Sequence, residues 1–219
     1  MRRSIGRSGS RVRAVLVVKD LEARRGRRVL FTALSLAAAQ GQLLRVQGAN
    51  GAGKTTLLRM LVGLSTPTAG TVLWCGQPIA GQREVFHRDL VYLGHAAALK
   101  DDLTAMENLQ AMGLQGGDRF SPPEAGTALA AAGLRGREHL PARVLSQGQR
   151  RRVALARLAL SGPRRLWVLD EPFNALDTAA TEWLAGLLRE HLADGGIVVL
   201  TSHQPVPVDG AHEQVSVPL

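Results

Sequence analysis

Apolar positions along the chain fall into two rhythms, short runs bounded by glycine and longer stretches of helical period. Val15-Leu16-Val17-Val18, Val29 to Leu36 and Thr71 to Trp74, punctuated by Gly26, Gly41, Gly70 and Gly76, predict strands of an antiparallel β layer. Leu43 to Val46, Leu90 to Leu93 and Ile197 to Thr201 read as further strands, and Leu166 to Leu169 is apolar throughout, as a strand buried on both faces should be. Thr56 to Val62 predicts a helix ending near Gly63 and Pro67, and Arg150 to Leu160 predicts another. From about Glu84 to Leu145 an alanine- and leucine-rich stretch, broken at Gly116-Gly117 and Pro122-Pro123, reads as a smaller helical lobe. With no internal repeat and no heptad run, the 219 residues suit a single α/β domain: a mixed-sheet core with an antiparallel layer and an inserted helical lobe.

The chemistry begins between the second of these strand types and the first helix. Gly48-Ala49-Asn50-Gly51-Ala52-Gly53-Lys54-Thr55 has the spacing G-x-x-x-x-G-K-[ST], followed by Thr56. Glycines there let backbone N–H groups turn toward phosphate oxygens, Lys54 adds a point charge, and the Thr55 hydroxyl is placed to hold Mg²⁺ at a helix N-terminus. The pattern predicts a P-loop NTPase that binds ATP or GTP. Leu166 to Leu169 then ends in Asp170-Glu171, with Pro172 blocking a regular continuation. A carboxylate at the C-terminal end of a central parallel strand faces the ligand crevice, so Asp170 is expected in the Mg²⁺ shell and Glu171 at the attacking water.

Leu145-Ser146-Gln147-Gly148-Gln149 precedes the second helix, and Ser146 with Gln149 has the spacing of a capping box. Such an exposed helix N-terminus, with Gly148 allowing close approach, predicts a second anion site. Here the chain resembles the ATP-binding-cassette family, whose signature is usually written LSGGQ, with Gln147 in place of one glycine. The resemblance continues through Asn174-Ala175-Leu176-Asp177, similar to the family's D-loop, and His203, similar to its switch histidine; it covers about residues 15 to 205. It implies Glu171 and His203 as catalytic, and nucleotide contacts from the phosphate loop and from Ser146, Gly148, Gln149 and Asp177, those of the signature reaching the nucleotide of a second copy. A homodimer closed on ATP follows from that.

One detail resembles a particular branch. Where most cassettes carry a glutamine about 40 residues after the phosphate-loop lysine, this chain has Gly94-His95, followed by Leu99 to Leu109, which looks like the ATP-binding subunits of cytochrome c maturation systems. That implies a haem-handling role beside integral-membrane permease subunits (CcmB/CcmC-like), with His95 in the metal shell. Another small-substrate transporter, or a soluble cassette acting on nucleic acid, is the alternative. The family usually stacks adenine on an aromatic residue before the glycine of the first hairpin, but Arg24 and Arg25 precede Gly26 here. Either a guanidinium plane stacks on the base or adenine is held loosely.

Composition adds bounds. The net charge is +9, with 27 basic against 18 acidic residues, and five of the arginines lie in residues 1–14, a segment that reads as a disordered basic tail. That tail can serve nucleic acid, anionic lipid headgroups or plain solvation. Residues 206–219 read as a short C-terminal tail. No apolar run of about 18 residues and no secretory signal is present, so the expectation is a protein on the cytoplasmic face of the membrane. The single Cys75 is expected as a small buried hydrophobe.

Overall fold

A computed structural model describes residues 15–203, 206–208 and, for backbone, 214–218. The basic segment 1–14 lies outside the described residues. Two sheets organise the chain. Strands β1 (Leu16–Arg25), β2 (Arg28–Ala38), β4 (Ala69–Trp74) and β5 (Gln77–Pro78) form an antiparallel sheet in the order β2-β1-β4-β5. Strands β3 (Leu43–Gln47), β6 (Leu90–Leu93), β7 (Leu166–Leu169), β8 (Ile197–Thr201) and β9 (Gln214–Pro218) form a parallel sheet in the order β6-β7-β8-β3-β9.

Strands β3, β7 and β8 are buried on both faces, and their successive side chains go to opposite cores. Leu44, Val46, Val168 and Val199 face helix α1 (Lys54–Leu61) and the antiparallel sheet, while Leu43, Trp167, Leu169, Val198 and Leu200 face helix α6 (Thr178–Ala193). This explains why Leu166 to Leu169 carries no polar alternation. Helix α2 (Arg83–Arg88) delivers Phe86 to the first core. A third core holds the helical lobe, where Ala105 and Leu109 of α3 (Ala105–Gln115) and Ala125 and Leu129 of α4 (Pro122–Ala131) pack on Val153 and Ala156 of α5 (Gln147–Ala156). Both α3 and α4 begin with complete capping boxes, Thr104 with Glu107 and Ser121 with Glu124.

Three expectations need correction. The helical lobe begins after the turn at His95 rather than near Glu84, because β6 pairs with β7 in the parallel sheet and α2 packs beneath it. Residues 206–219 are not simply a tail: Val206 and Val208 are buried in the second core, and β9 runs beside β3 with Leu43 opposite Gln214. Cys75 is exposed, not buried. It sits at the turn between β4 and β5 with φ +50, where the chain reverses and the side chain cannot face the core.

Candidate functional site

The loop from Gly48 to Gly53 joins the end of β3 to the N-terminus of α1. Gly53 caps that helix at φ +109, and a Cβ there would approach Leu30 Cβ at 3.2 Å and the Phe31 ring at 3.3 Å. The glycine therefore satisfies both the backbone and the β2 wall that leans on the loop. Lys54 Nζ donates to Gly48 O at 2.7 Å and Ala49 O at 3.2 Å, so its charge is held over the loop's own carbonyls. Asn50, Gly51, Gly53, Lys54, Thr55 and Thr56 line one side of a cavity of about 310 Å³; Asp170, Glu171, His95 and His203 line another, and Arg25 and Leu30 complete it.

Asp170, 2 % exposed, accepts from Thr55 Oγ1 at 2.8 Å and from Thr201 Oγ1 at 2.7 Å, one hydroxyl on each carboxylate oxygen. Its N–H donates to Leu93 O of β6 at 2.8 Å. Glu171 follows at φ +49, a left-handed conformation that costs a non-glycine residue roughly 1 kcal/mol or more and that turns its side chain away from the direction of Asp170. The Glu171 N–H is anchored on Thr201 Oγ1 at 2.7 Å. Its Oε1 is buried without a hydrogen-bond partner and lies 3.4 Å from His203 Nε2, a contact too poorly directed to count as a hydrogen bond. A buried carboxylate oxygen with spare acceptor capacity beside a phosphate cradle fits a water held for attack.

The same residues fit Mg-ATP. Thr55 and Asp170 already face each other, and among the described residues no group of three His, Cys, Asp or Glu side chains gathers into a protein-only metal cage. Magnesium usually takes one or two protein oxygens and completes its shell from phosphates and water, which suits this pair. The exposed His95 ring lines the same cavity, on the turn after β6.

Ser146, Gln147, Gly148 and Gln149 line none of that cavity. Ser146 caps α5 by accepting from Gln149 N at 3.2 Å, and Gln149 Oε1 accepts from Ser146 N at 3.0 Å, the reciprocal box expected. A Cβ on Gly148 would sit 2.4 Å from Ala175 O, so this glycine is fixed by contact with the D-loop-like turn. Gln147 is exposed, which explains why a side chain is tolerated there. Asp177 caps α6, accepting from Ala180 N at 2.9 Å, and its other oxygen is 3.8 Å from Arg152. It too lies away from the phosphate cavity.

Two participants were missed from sequence. Thr201, buried at the end of β8, ties the Asp170 carboxylate to the Glu171 backbone; the signal was a hydroxyl closing an apolar strand two residues before His203. Arg151, buried within Arg150-Arg151-Arg152, donates to Gly94 O, His95 O and Asp170 O at 2.8, 3.2 and 2.6 Å. Its place one helical turn before Leu155 was a sign that it faces inward. Of the arginines before Gly26, Arg24 pairs with Glu22, and Arg25 is the one that lines the cavity beside the phosphate loop.

The family profile described as ABC transporter matches residues 31–174. A relative from Aromatoleum aromaticum, named cytochrome c biogenesis ATP-binding export protein CcmA, is 55% identical, covering 88% of this chain and 90% of its own. A protein of the same name from Pseudomonas aeruginosa is 48% identical, covering 87% and 93%. Among solved structures, the ATP-binding subunit of another ABC transporter superposes with a TM-score of 0.76 at 27% identity over 86% of this chain and 79% of that one. A Pyrococcus furiosus chain described as an ABC transporter ATP-binding protein shares the fold at TM-score 0.76 and 24% identity, covering 91% and 96%. With phosphate loop, paired carboxylates and capped signature helix in their expected order, the chain belongs to the ABC transporter family and is an ATPase.

Proposed function

We propose that this chain is the ATP-hydrolysing subunit of a membrane complex for haem export and handling in cytochrome c maturation, acting as a dimer closed by Mg-ATP on the cytoplasmic face of the membrane. The supporting observation for the pathway is identity near one half to relatives named for cytochrome c biogenesis and export, over nearly their whole length. For the chemistry it is Glu171, buried at the cavity wall with one carboxylate oxygen unpartnered. The loop and Lys54 bind the β- and γ-phosphates, and Thr55 and Asp170 hold Mg²⁺, which neutralises charge on the transferred group. Glu171 orients and deprotonates the attacking water, with His203 beside it at the γ-phosphate. His95 reaches the metal shell or its waters from the turn after β6. Because Ser146, Gly148, Gln149 and Asp177 lie off this cavity, they act on the nucleotide of the second copy in a closed two-fold dimer. Permease subunits of the CcmB and CcmC kind form the path through the bilayer; no described helix is long and apolar enough to cross one.

Glu171→Gln tests the mechanism, since the amide keeps the side chain's volume and loses the base. Hydrolysis falls by about 10²-fold or more, and an ATP-bound dimer accumulates in light scattering with Mg-ATP. A variant that stays monomeric at saturating ATP refutes the two-copy site, and one with undiminished turnover refutes Glu171 as the base.

A further inference from the structure

Three consecutive arginines leave the signature end of α5 in three directions. Arg150 pairs with Asp101 at 2.6 Å and Ala142 O at 2.9 Å in the helical lobe, and Arg152 faces Asp177 at 3.8 Å. Arg151 alone of the three is buried, at 5 % exposure. Its Nη1 donates to Gly94 O and His95 O, and its Nη2 donates to Asp170 O. Those carbonyls belong to the ends of neighbouring strands, β6 and β7, which carry His95 and the Asp170-Glu171 pair.

Burying a guanidinium is costly, and burial pulls this one below its ordinary pKa while Asp170 and Glu171 pull it back up. A neutral side chain could fill the space at less cost, so the charge calls for an explanation beyond packing. A rigid planar fork of donors reaches carbonyls on two strands at once, whereas an ammonium on a flexible stem cannot span both with fixed geometry. The same helix presents Ser146 to Gln149 at its N-terminus, one turn away. One side chain therefore joins the signature helix, the His95 turn and the backbone that sets Glu171.

We infer that Arg151 is a positioning residue that locks the tilt of the signature helix to the placement of Glu171 and His95, so that engaging a second copy's nucleotide aligns the hydrolytic groups of the chain's own site. This rests on the two-copy reading proposed above. Each nucleotide then reports to the other through Arg151, and hydrolysis is cooperative in ATP.

The test uses the full chain with Arg151→Lys and Arg151→Gln, measuring thermal unfolding, binding of a fluorescent ATP analogue, kcat, KM and the Hill coefficient for Mg-ATP. The expected result is analogue affinity within about twofold of the parent, kcat lower by roughly tenfold to a hundredfold, and loss of cooperativity, with Lys the milder variant. Unchanged kcat and Hill coefficient in folded variants overturn the inference. So does a loss of kcat that tracks loss of affinity or of folded protein, including failure of both variants to fold, since Arg151 is then a stability element only. A parent protein that does not dimerise on ATP defeats the two-copy reading itself, an outcome visible before any variant is made.

Discussion

His191 makes the stability of the domain depend on pH between about 4 and 6.5. It lies on α6 with its ring stacked on Trp167, centroids 3.8 Å apart and planes at 6°, and its Nε2 is buried without a hydrogen-bond partner. Burial lowers its pKa to about 4 from the ordinary 6.5, a shift that the nearby Ile197 backbone and Asp194 only partly oppose. Folding thus favours the neutral ring. Its contribution is complete above pH 6.5, is lost as the unfolded chain takes up a proton below that, and stops changing below about pH 4. The gap of about 2.5 pH units between those two values corresponds to a maximal loss of about 3 kcal/mol. Solvent at the ring's exposed edge screens part of this, leaving about 1 kcal/mol lost between pH 7.5 and pH 5. His191→Phe keeps an aromatic ring against Trp167 and removes the titration. Urea unfolding of both proteins from pH 7.5 to 4.5 isolates the effect, because every other carboxylate and histidine is common to the pair. The parent should lose about 1 kcal/mol more than the variant by pH 5. Curves that stay parallel across the range refute the assignment.

Further outcomes follow from the site. Lys54→Ala should abolish hydrolysis and most ATP affinity while leaving the melting temperature of the nucleotide-free protein within a few degrees, and should fail to restore c-type cytochrome formation in a strain lacking the gene; normal turnover would refute the phosphate-loop assignment. His95→Gln should keep substantial ATPase activity and His95→Ala should lower it, with equal rates in all three proteins making His95 structural. Gly148→Ala forces a Cβ to within 2.4 Å of Ala175 O. It should cut ATP-driven dimerisation and turnover by about tenfold or more while a fluorescent nucleotide still binds the monomer, which native chromatography and titration read separately.

Sequence reached most of the elements of the candidate site because their patterns are local. A phosphate loop needs glycines at fixed spacing between a strand and a helix, so Gly48 to Thr55 was legible, and the Ser146–Gln149 box was legible for the same reason. What escaped was set by long-range pairing. Nothing near Glu84 indicates that β6 sits at the edge of the parallel sheet, because its partner β7 lies more than seventy residues on. Residues 206–219 gave no pattern that betrays β9, since β3 supplies its partner. Thr201 and Arg151 read as a strand end and one of a run of arginines until their neighbours are seen. Cys75 was misplaced by reading Gly70 to Gln77 as one strand-like stretch, where the chain in fact turns.

That misplaced thiol has a practical use. Cys75 is the only cysteine in the chain; it is exposed at the turn between β4 and β5 and is not among the residues lining the phosphate cavity. Arg165 Nη2 approaches its Sγ at 3.5 Å. The unaltered protein can therefore carry one dye per copy at a known position, and in a two-fold dimer the two dyes form a distance pair. Energy transfer between donor- and acceptor-labelled copies would then follow closure and release in real time, without inserting a residue anywhere near the nucleotide.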